Sequence, residues 1–577
     1  GGDPLIISFS KVTRNDGNLV GGKNASLGEL LKSLAPKGIR VPDGFAITSN
    51  AYRAFIRENE LETLINDQID RFYEDPDWLQ EVGLAIRKEI LAADLSEELK
   101  SEIRNAYERM TGDDSHPVSV AVRSSATAED LPEASFAGQL ETFLNVTGAE
   151  ALLDACRKCF ASLFTDRAIS YRRHKGFTDK DIAISVGVQR MVRSDKACSG
   201  VMFSIDTETG FPNVILINSA WGLGETVVQG IVDPDEFEIF KPLLLNESVR
   251  PIFSKRCGAK AEKLIYSDRE DTPTKLIATS MSDRTKLTLT DTEILTLARW
   301  AALIEDHYGQ PMDMEWAKDG ETGDLFVVQA RPETVESRKT GGMLRRYRLK
   351  GEGEKLTHGL AVGDAIASAV VNRIDSAEKI KDFKEGSILV TRSTDPDWAP
   401  VMKKAAAIVT DHGGRTSHAA IVSRELGLPA VIGAENATEV LSDGQTVTVS
   451  CAEGSTGVVY DGAIEFEVEE VDLSSIPNTR TEVMLNLAQP SGAFRWWRFP
   501  ADGVGLVRIE FIISNLIKVH PMALLNFGEV KDKSARAEID SLTTGYANKS
   551  DFFVDRLAQG VAGGGAEARG NNGEVVI

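Results

Sequence analysis

His418 lies where a glycine pair is followed by a helical pattern, a position suited to carrying a covalently attached phosphoryl group. An apolar stretch at 405–409 runs into Gly413 and a second glycine, and Thr416 or Ser417 can cap a helix that stops at Gly427. His418 would then lie in the first helical turn, where unpaired backbone N–H groups and the positive end of the helix dipole favour a phosphoryl group. The same dipole disfavours imidazolium, so we expect a neutral, nucleophilic ring near pH 7.

Two cations occur in segments that can approach phosphates. Lys23 follows two glycines in a stretch that nearly spells a P-loop, but Asn24 stands where that loop needs Ser or Thr, so we reject a P-loop. Arg123 ends an alternating strand and opens a loop of small residues up to Gly138. Such a loop can wrap a polyphosphate with backbone donors while the guanidinium contacts it.

A hairpin pattern brings acidic and amide side chains together. The stretches at 311–317 and 324–332 are joined by a turn sequence at 318–323. Alternation puts Asp313 and Glu315 on one face of the first strand, and Gln329 and Arg331 on one face of the second. Carboxylate and amide oxygens suit Mg²⁺ held against ATP phosphates, with Arg331 balancing charge. A plain cross-strand polar network is the alternative.

The composition excludes several classes of protein. A formal net charge of −22 repels a nucleic-acid backbone, so we expect no nucleic-acid partner. No stretch approaches the length of apolar sequence that a membrane span needs, and the first residues have no signal-peptide pattern. Five sparse cysteines suit reduced thiols. We therefore expect a cytoplasmic protein without a membrane partner.

These residues fall in separate parts of an α/β multidomain chain. Residues 1–335 alternate helical and strand patterns, which predicts a domain of two lobes. Residues 336–350 are polar and basic with a glycine pair, which predicts a linker. Residues 351–470 place short strands around one helix, and residues 471–577 begin with buried strands at 482–487 and 503–508. The last 17 residues hold five glycines and offer little to a core.

The motifs together resemble the family that comprises phosphoenolpyruvate synthase, pyruvate phosphate dikinase and enzyme I of the sugar phosphotransferase system. The match covers about residues 10–555 and is almost complete from Gly413 to His418, with Ser417 where the synthase branch commonly has Cys. The resemblance implies an ATP-grasp-like nucleotide-binding domain, a swivelling α/β phosphohistidine domain and the start of an incomplete (β/α)₈ barrel.

The resemblance also assigns roles to residues of this chain. It implies that His418 is the catalytic residue that becomes phosphorylated and that Arg508 contacts the substrate phosphate. It implies Mg²⁺ as cofactor, with Glu315 and Gln329 as metal contacts. The residues that would bind nucleotide are Lys23, Arg123, Glu315, Gln329 and Arg331.

The activity implied is the conversion of ATP, pyruvate and water into AMP, phosphoenolpyruvate and phosphate. A complete (β/α)₈ barrel needs roughly 250 residues, and only about 100 follow residue 478; we therefore expect this chain to perform the ATP half-reaction alone. The resemblance also allows a homodimer of the full-length enzyme. Two alternatives stay open: a pyruvate phosphate dikinase-like enzyme that uses phosphate in place of water, and a non-catalytic nucleotide-binding fragment.

Overall fold

The computed structural model describes residues 4–112, 117–127, 141–175, 182–269, 272–333, 343–395, 398–473, 476–477, 479–487, 497 and 499–570. The chain divides into two compact units. The first comprises Gly1–Ala197, Ile265–Leu276 and Met314–Arg331; the second comprises Cys198–Leu264, Ile277–Asp313 and Pro332–Ile577.

The first unit is an antiparallel sheet packed against helices. Its strands are β1 (Ile6–Ser8), β2 (Gly44–Ile47), β3 (Ser119–Ala126), β4 (Thr142–Thr147) and β5 (Ile184–Arg190). They lie in the order β1-β2-β5-β3-β4. Its helices are α1 (Gly17–Glu29), α2 (Ser49–Glu58), α3 (Glu62–Glu74), α4 (Leu79–Ala92), α5 (Glu97–Thr111), α6 (Ala149–Ser162) and α7 (Asp166–Lys175). Apolar residues of α2 to α6 and of the central strands form one buried core.

Helix α1 approaches the sheet so closely that side chains are excluded at two positions. A Cβ atom at Gly21 would lie 2.2 Å from Ser125 Oγ, and Gly21 has a φ of 74°, which favours glycine. A Cβ atom at Gly187 of β5 would lie 2.2 Å from Asn24 Oδ1, while the Asn24 amide donates to the Val20 carbonyl at 2.9 Å. Asn24 is thus a packing residue inside a helix, as the rejection of a P-loop requires.

Beyond β5 the chain forms further strands and helices. They are β6 (Cys198–Phe203), β7 (Val214–Trp221), α8 (Glu225–Val228), β8 (Asp235–Phe240), β9 (Ile252–Arg256), β10 (Glu262–Tyr266), β11 (Thr274–Ala278), α9 (Met281–Arg284), α10 (Asp291–Tyr308), β12 (Met312–Lys318) and β13 (Leu325–Pro332). In the second unit β6, β7, β8 and β9 pair antiparallel in sequence order. The β12–β13 hairpin is confirmed: the strands are neighbours, and the Asp319 N–H donates to the Asp324 carbonyl at 2.8 Å.

A closed seven-stranded barrel follows in the second unit. The elements of this region are β14 (Met343–Leu349), β15 (Lys355–Val362), β16 (Ile366–Arg373), β17 (Ile388–Thr391), α11 (Ala399–Met402), β18 (Ala407–Thr410), α12 (His418–Leu426), β19 (Ala430–Ile432), α13 (Ala437–Val440), β20 (Thr446–Ser450), β21 (Thr456–Asp461) and β22 (Phe466–Asp472). The barrel order is β15-β19-β18-β17-β16-β20-β21, and the pairs among β16 to β19 are parallel.

The parallel strands of the barrel are buried on both faces. Val390, Val409 and Val431 join the core inside the barrel. Their neighbours Leu389 and Ile408 join an outer core with residues of α11 and α12. Two buried faces explain why these strands read as continuous apolar runs in the sequence.

The region predicted as a linker contains a strand. Residues 336–342 lie outside the described part of the chain, but β14 pairs antiparallel with β22 along its length, from Met343 opposite Asp472 to Leu349 opposite Phe466. Basic residues of β14 face acidic ones of β22, as in the Arg345–Glu470 pair at 2.7 Å. Complementary charge therefore stabilises this two-stranded ribbon.

The C-terminal region begins with two parallel strands, β23 (Met484–Leu487) and β24 (Gly503–Val507). The helices α14 (Ile509–Phe511), α15 (Pro521–Leu525), α16 (Lys533–Leu542) and α17 (Lys549–Gly570) follow, and the last three share a small core with β24. The glycine-rich end is helical as far as Gly570, which its composition did not indicate. A mixed α/β multidomain fold is confirmed. Among the described residues, no helix combines the length and apolar character needed to cross a membrane.

Candidate functional site

A small polar pocket in the first unit gathers most of the predicted nucleotide residues. It is lined by Phe9, Lys23, Asn24, Leu27, Arg123, Gly187, Gln189 and Gln329. Lys23 comes from α1, Arg123 from β3 and Gln329 from β13. Glu315 of β12 adjoins the pocket, because its Oε2 lies 4.0 Å from Arg123 Nη2. The sequence spacing placed these residues on three separate segments, and the fold brings them together.

The pocket contains polar atoms that have no protein partner among the described residues. They are Arg123 Nη1 and Gln189 Nε2, and Gln189 is only 3% exposed. A buried donor left without an acceptor lowers the stability of the fold by about 1–3 kcal/mol. Such atoms therefore indicate a site for a ligand that supplies hydrogen-bond acceptors. Two unpaired donors of this kind suit an anion.

Two of the predicted nucleotide contacts are not among the residues that line this pocket. Arg331 lies on β13 two residues beyond Gln329 and is half-buried. The loop of small residues was predicted to begin directly after Arg123, which is wrong because β3 continues to Ala126. The rest of that loop, at 128–140, lies outside the described part of the chain.

The donors at this pocket fit a metal that arrives with its ligand. Among the described residues, no group of three or more His, Cys, Asp or Glu side chains is placed to hold a metal ion. Glu315 and Gln329 offer one carboxylate and one amide oxygen. Mg²⁺ usually takes one or two protein carboxylates together with substrate phosphates and waters, so this donor set fits Mg²⁺ bound with a nucleotide.

His418 is the first residue of α12, and its ring contacts a residue of the loop that follows β17. Ser417 caps the helix by accepting from the Ala420 N–H at 3.4 Å, and Gly427 ends it with a φ of 67°. His418 Nδ1 lies 3.0 Å from Thr394 Oγ1. This contact orients the ring and leaves Nε2 as the nitrogen that can attack an electrophile.

The electrostatic state of His418 agrees with the expectation, but its cause differs. Burial lowers the pKa of the imidazole from 6.5 to about 4. The expectation rested on the helix dipole, whereas removal of the ring from water is the cause in the structure. At pH 7 the ring is neutral and therefore nucleophilic.

Arg415, three residues before His418, contacts carboxylates. Its Nη1 donates to Glu238 Oε1 at 3.1 Å, and its Nε lies 3.5 Å from Glu236 Oε1. Burial raises the pKa of the Glu238 carboxyl to about 7, against the lowering effect of Arg415 and with the help of the nearby Glu236 and Asp206 charges. Both carboxylates belong to β8, so the Arg415 guanidinium is paired with that strand in this arrangement.

Comparison with known proteins identifies the family. The model for the pyruvate phosphate dikinase AMP/ATP-binding domain matches residues 17–349, and the model for the mobile domain of PEP-utilising enzymes matches residues 383–454. The phosphoenolpyruvate synthase of Synechocystis sp. is 51% identical, over 97% of this chain and 70% of its own length. Those of Aquifex aeolicus and Escherichia coli K12 are 49% and 48% identical, over 72% and 71% of their lengths. The chain belongs to the phosphoenolpyruvate synthase family.

Membership of the phosphoenolpyruvate synthase family confirms the resemblance drawn from the motifs. The first match includes Lys23, Arg123, Glu315, Gln329 and Arg331, and the second includes the helix that begins with His418. The polar pocket and the histidine turn therefore belong to two different domains of the synthase family.

Arg508 lies where the synthase resemblance suggested, at the end of a strand. It directly follows β24 and is exposed, with its guanidinium 5.8 Å from the centre of the Phe511 ring. The parallel β23–β24 pair sets the direction in which this arginine projects beyond the sheet.

Sequence reasoning missed several residues of these two sites. Gln189 lies one residue before the end of β5, opposite Ala121 of the adjacent strand. Since side chains two residues apart on a strand share a face, alternation could have placed Gln189 on the same face as Arg123. Thr394 lies in a loop 24 residues before His418, and no local sequence pattern predicts the contact between its hydroxyl and the His418 ring. Glu236 and Glu238 alternate along β8, which indicates a shared face, but their partner is about 180 residues away.

Proposed function

We propose that the chain uses ATP to phosphorylate His418, as the first stage of a reaction in which ATP, pyruvate and water become AMP, phosphoenolpyruvate and phosphate. The expectation that this chain performs only that first stage stays a prediction. The observation that carries the proposal is a neutral imidazole at a helix N-terminus, oriented through Nδ1 by Thr394. The unpaired N–H groups of that helix end favour the negative charge that the ring acquires on phosphorylation.

The products define which bond of ATP breaks. Because AMP leaves, the lone pair of His418 Nε2 attacks the β-phosphorus, and the bond to the oxygen that bridges the α- and β-phosphorus breaks with its electrons going to AMP. Water then attacks the γ-phosphorus, releasing phosphate and a proton and leaving the β-phosphoryl group on the ring. Loss of a methyl proton to a base turns pyruvate into its enolate. The enolate oxygen attacks the phosphorus, and the P–N bond breaks with its electrons returning to Nε2.

The pocket of the first unit is our candidate for the ATP site, in a domain of ATP-grasp type. Lys23, Arg123 and Arg331 supply cations for the phosphates, while Glu315 and Gln329 hold Mg²⁺, which supplies further positive charge when bound. The buried donors of Arg123 and Gln189 that have no hydrogen-bond acceptor among the described residues support this choice.

The remaining features complete the proposal. One imidazole must reach both ATP and pyruvate, so the barrel that carries His418 swivels between two sites. We assign β23 and β24 to the start of a (β/α)₈ barrel, with Arg508 contacting the phosphate of phosphoenolpyruvate at the carboxyl end of its strand. We further propose a cytoplasmic enzyme whose full-length form can be a homodimer.

Labelled ATP tests the first stage. The chain is incubated with ATP labelled at the β- or γ-phosphorus, and acid-labile phosphate is mapped by mass spectrometry, with His418→Gln as control. We expect the β label on His418 and the γ label in free phosphate. Protein without label, or label retained by His418→Gln, would refute the proposal. Release of pyrophosphate that depends on added phosphate would instead assign the pyruvate phosphate dikinase reaction.

A further inference from the structure

Cys257 and Lys260 bring a thiol and an amine together in the short loop between β9 and β10. Lys260 Nζ lies 3.3 Å from Cys257 Sγ, and the Lys260 side chain is fully buried. All five cysteines lie in the described part of the chain, and Cys257 is the only one of them that is not buried. The pair therefore combines a cysteine that solvent reaches with an amine that solvent does not reach.

Hydrogen bonds to two aspartates fix the backbone of this loop. The Gly258 N–H donates to Asp235 Oδ1 at 2.9 Å, and the Ala259 N–H donates to Asp233 Oδ2 at 3.0 Å. The Lys260 N–H donates to the Asp233 carbonyl at 3.0 Å. These contacts hold every residue that follows the cysteine as far as the lysine, so the sulfur and the amine meet in a geometry that the fold sets in advance.

Asp235 contacts the same amine and can accept a proton from it. Lys260 Nζ forms an ion pair with Asp235 Oδ1, and both side chains are fully buried. Asp235 Oδ2 accepts hydrogen bonds from the Thr288 N–H at 2.8 Å and from Thr288 Oγ1 at 2.9 Å. The amine therefore touches a sulfur and a carboxylate at once, which allows it to lose a proton and to attack the sulfur when the sulfur becomes electrophilic.

We propose that Cys257 and Lys260 are a modification site at which a hydroperoxide forms a sulfur–nitrogen bond between the two side chains. The Cys257 sulfur attacks the peroxide, the O–O bond breaks, and the thiol proton goes to the leaving oxygen. The sulfur is thereby oxidised to a sulfenic acid and the peroxide is reduced to an alcohol or to water.

The second step joins the two side chains. Lys260 gives one proton to Asp235, and the lone pair of its nitrogen attacks the sulfur. The S–O bond breaks, and the hydroxide leaves with the bonding electrons and takes a second amine proton to become water. A sulfenic acid condenses with a backbone nitrogen in the same way. No step of this chemistry uses ATP or His418.

The first step should be slow. Burial raises the pKa of the Cys257 thiol, the charge of Asp235 raises it further, and the charge of Lys260 opposes both. The thiolate is the form that attacks a peroxide, so the reaction needs an excess of peroxide and a long incubation. The bridge should therefore accumulate under sustained oxidation and not after a brief exposure.

Tryptic digestion distinguishes the bridge from other products of oxidation. The folded chain is treated with hydrogen peroxide and digested without a reducing agent. Trypsin cleaves after Arg256 and Lys260 and so releases the peptide 257–260 from the unmodified chain. A bridged Lys260 has no free amine for trypsin to recognise, so we expect the peptide 257–263, lighter by two hydrogen atoms than its unmodified mass. Dithiothreitol should restore the peptide 257–260, and Cys257→Ser should release it throughout.

Three results would overturn the proposal. A peptide 257–260 that is lighter by two hydrogen atoms would place the new bond on a backbone nitrogen. A peptide 257–260 that has only gained oxygen would show that the amine does not attack. Chain unfolded in urea before oxidation should give at least about tenfold less bridge, because the fold supplies the high effective concentration of the amine. An equal yield in urea would show that the contact in the fold contributes nothing.

A second measurement follows the proton that Asp235 receives. A protonated carboxyl accepts a weaker hydrogen bond than a carboxylate, so the Thr288 N–H should be held less firmly in the bridged chain. Hydrogen exchange of peptides that contain Thr288 should be faster after oxidation and should recover with dithiothreitol. The same peroxide treatment should leave the exchange unchanged in Cys257→Ser. Unchanged exchange in the bridged chain would contradict proton transfer to Asp235 and, with it, the proposed route.

Discussion

The His418 ring should stay neutral through the pH range in which most histidines gain a proton. Burial sets its pKa at about 4 instead of 6.5. At pH 5.5 an imidazole with a pKa of 6.5 is about nine-tenths protonated, whereas one with a pKa near 4 is only a few per cent protonated. The nucleophilic form therefore remains available at least one pH unit further into the acid range.

The sign of the effect on stability follows from the direction of the shift. The folded pKa is below the unfolded value, so the stabilisation from a neutral buried ring is complete above pH 6.5. It is lost as the pH falls towards 4. The difference between 6.5 and about 4 corresponds to about 3 kcal/mol, which makes acid unfolding of this domain sensitive to His418.

Nuclear magnetic resonance can follow the titration directly. The chain contains seven histidines, so labelling histidine at Cε1 gives few signals, and the signal missing from His418→Gln identifies the ring. We expect its chemical shift to be flat from pH 8 to about 5 in the folded chain. The same chain in urea should titrate near 6.5 and serves as the reference.

A midpoint between pH 6 and 7 in the folded chain would refute the reasoning. It would mean that water reaches the ring and that burial does not set its charge. Loss of acid stability that His418→Gln leaves unchanged would refute the linkage, since the variant has no imidazole to protonate.

Three further outcomes are expected. Thr394→Val removes the hydroxyl at Nδ1 and should slow labelling of His418 from ATP roughly fivefold, the equivalent of about 1 kcal/mol for one hydrogen bond; an unchanged rate would mean that Thr394 does not orient the ring. Arg123→Met should weaken binding of a non-hydrolysable ATP analogue roughly tenfold to a hundredfold by calorimetry, while labelling by phosphoramidate, a chemical donor that needs no nucleotide site, is unaffected. Glu208→Lys should slow labelling from ATP, and adding Arg424→Glu should recover part of the rate, because Glu208 and Arg424 form an ion pair and truncating a buried pair costs about 3–5 kcal/mol; absence of recovery would argue against a direct pairing.

The helix that carries His418 was predictable because its signals are local. Ser417 caps it, Gly427 ends it in the left-handed region, and the strands on either side are short apolar runs. Each of these preferences depends on a few neighbouring residues. The hairpin before residue 332 was predictable for the same reason, since its turn residues fix where the two strands reverse.

Closure of the barrel was not predictable from local pattern. Strand β15 pairs with both β19 and β21, and its register with β21 shifts between Lys355 and Thr357. Such pairings depend on which distant strand hydrogen-bonds to the free edge of β15. Several apolar strands of similar length are present, and the local sequence does not distinguish among them. The alternation of apolar residues shows two buried faces but not their order around a barrel.

Residues of the candidate site were predicted from the sequence where the side-chain type itself suits the chemistry. They were missed where their role depends on a contact with a residue distant in sequence. Lys23, Arg123 and Gln329 line one pocket as the motifs suggested. The sequence could not show that Arg415 pairs with Glu236 and Glu238 of β8. Charge pairing between distant segments depends on the tertiary structure, which the spacing of residues along the chain does not reveal.

Neutrality of His418 and packing of its turn against Gly230 should be coupled. Ser417, the adjacent residue, packs directly against Gly230, so lifting the turn exposes the neighbourhood of the ring to water. This packing then favours the neutral ring, and protonation must disfavour the packing by the same factor, because coupling free energies are reciprocal. Gly230→Ala should therefore move the His418 titration towards 6.5. Gly309 has the same φ of 68° as Gly230 but has no heavy atom within 4 Å of an added Cβ, so Gly309→Ala should leave the titration near 4. Identical titrations in the two variants would show that the barrel alone buries the ring, and release of the turn would then leave its nucleophilicity unchanged.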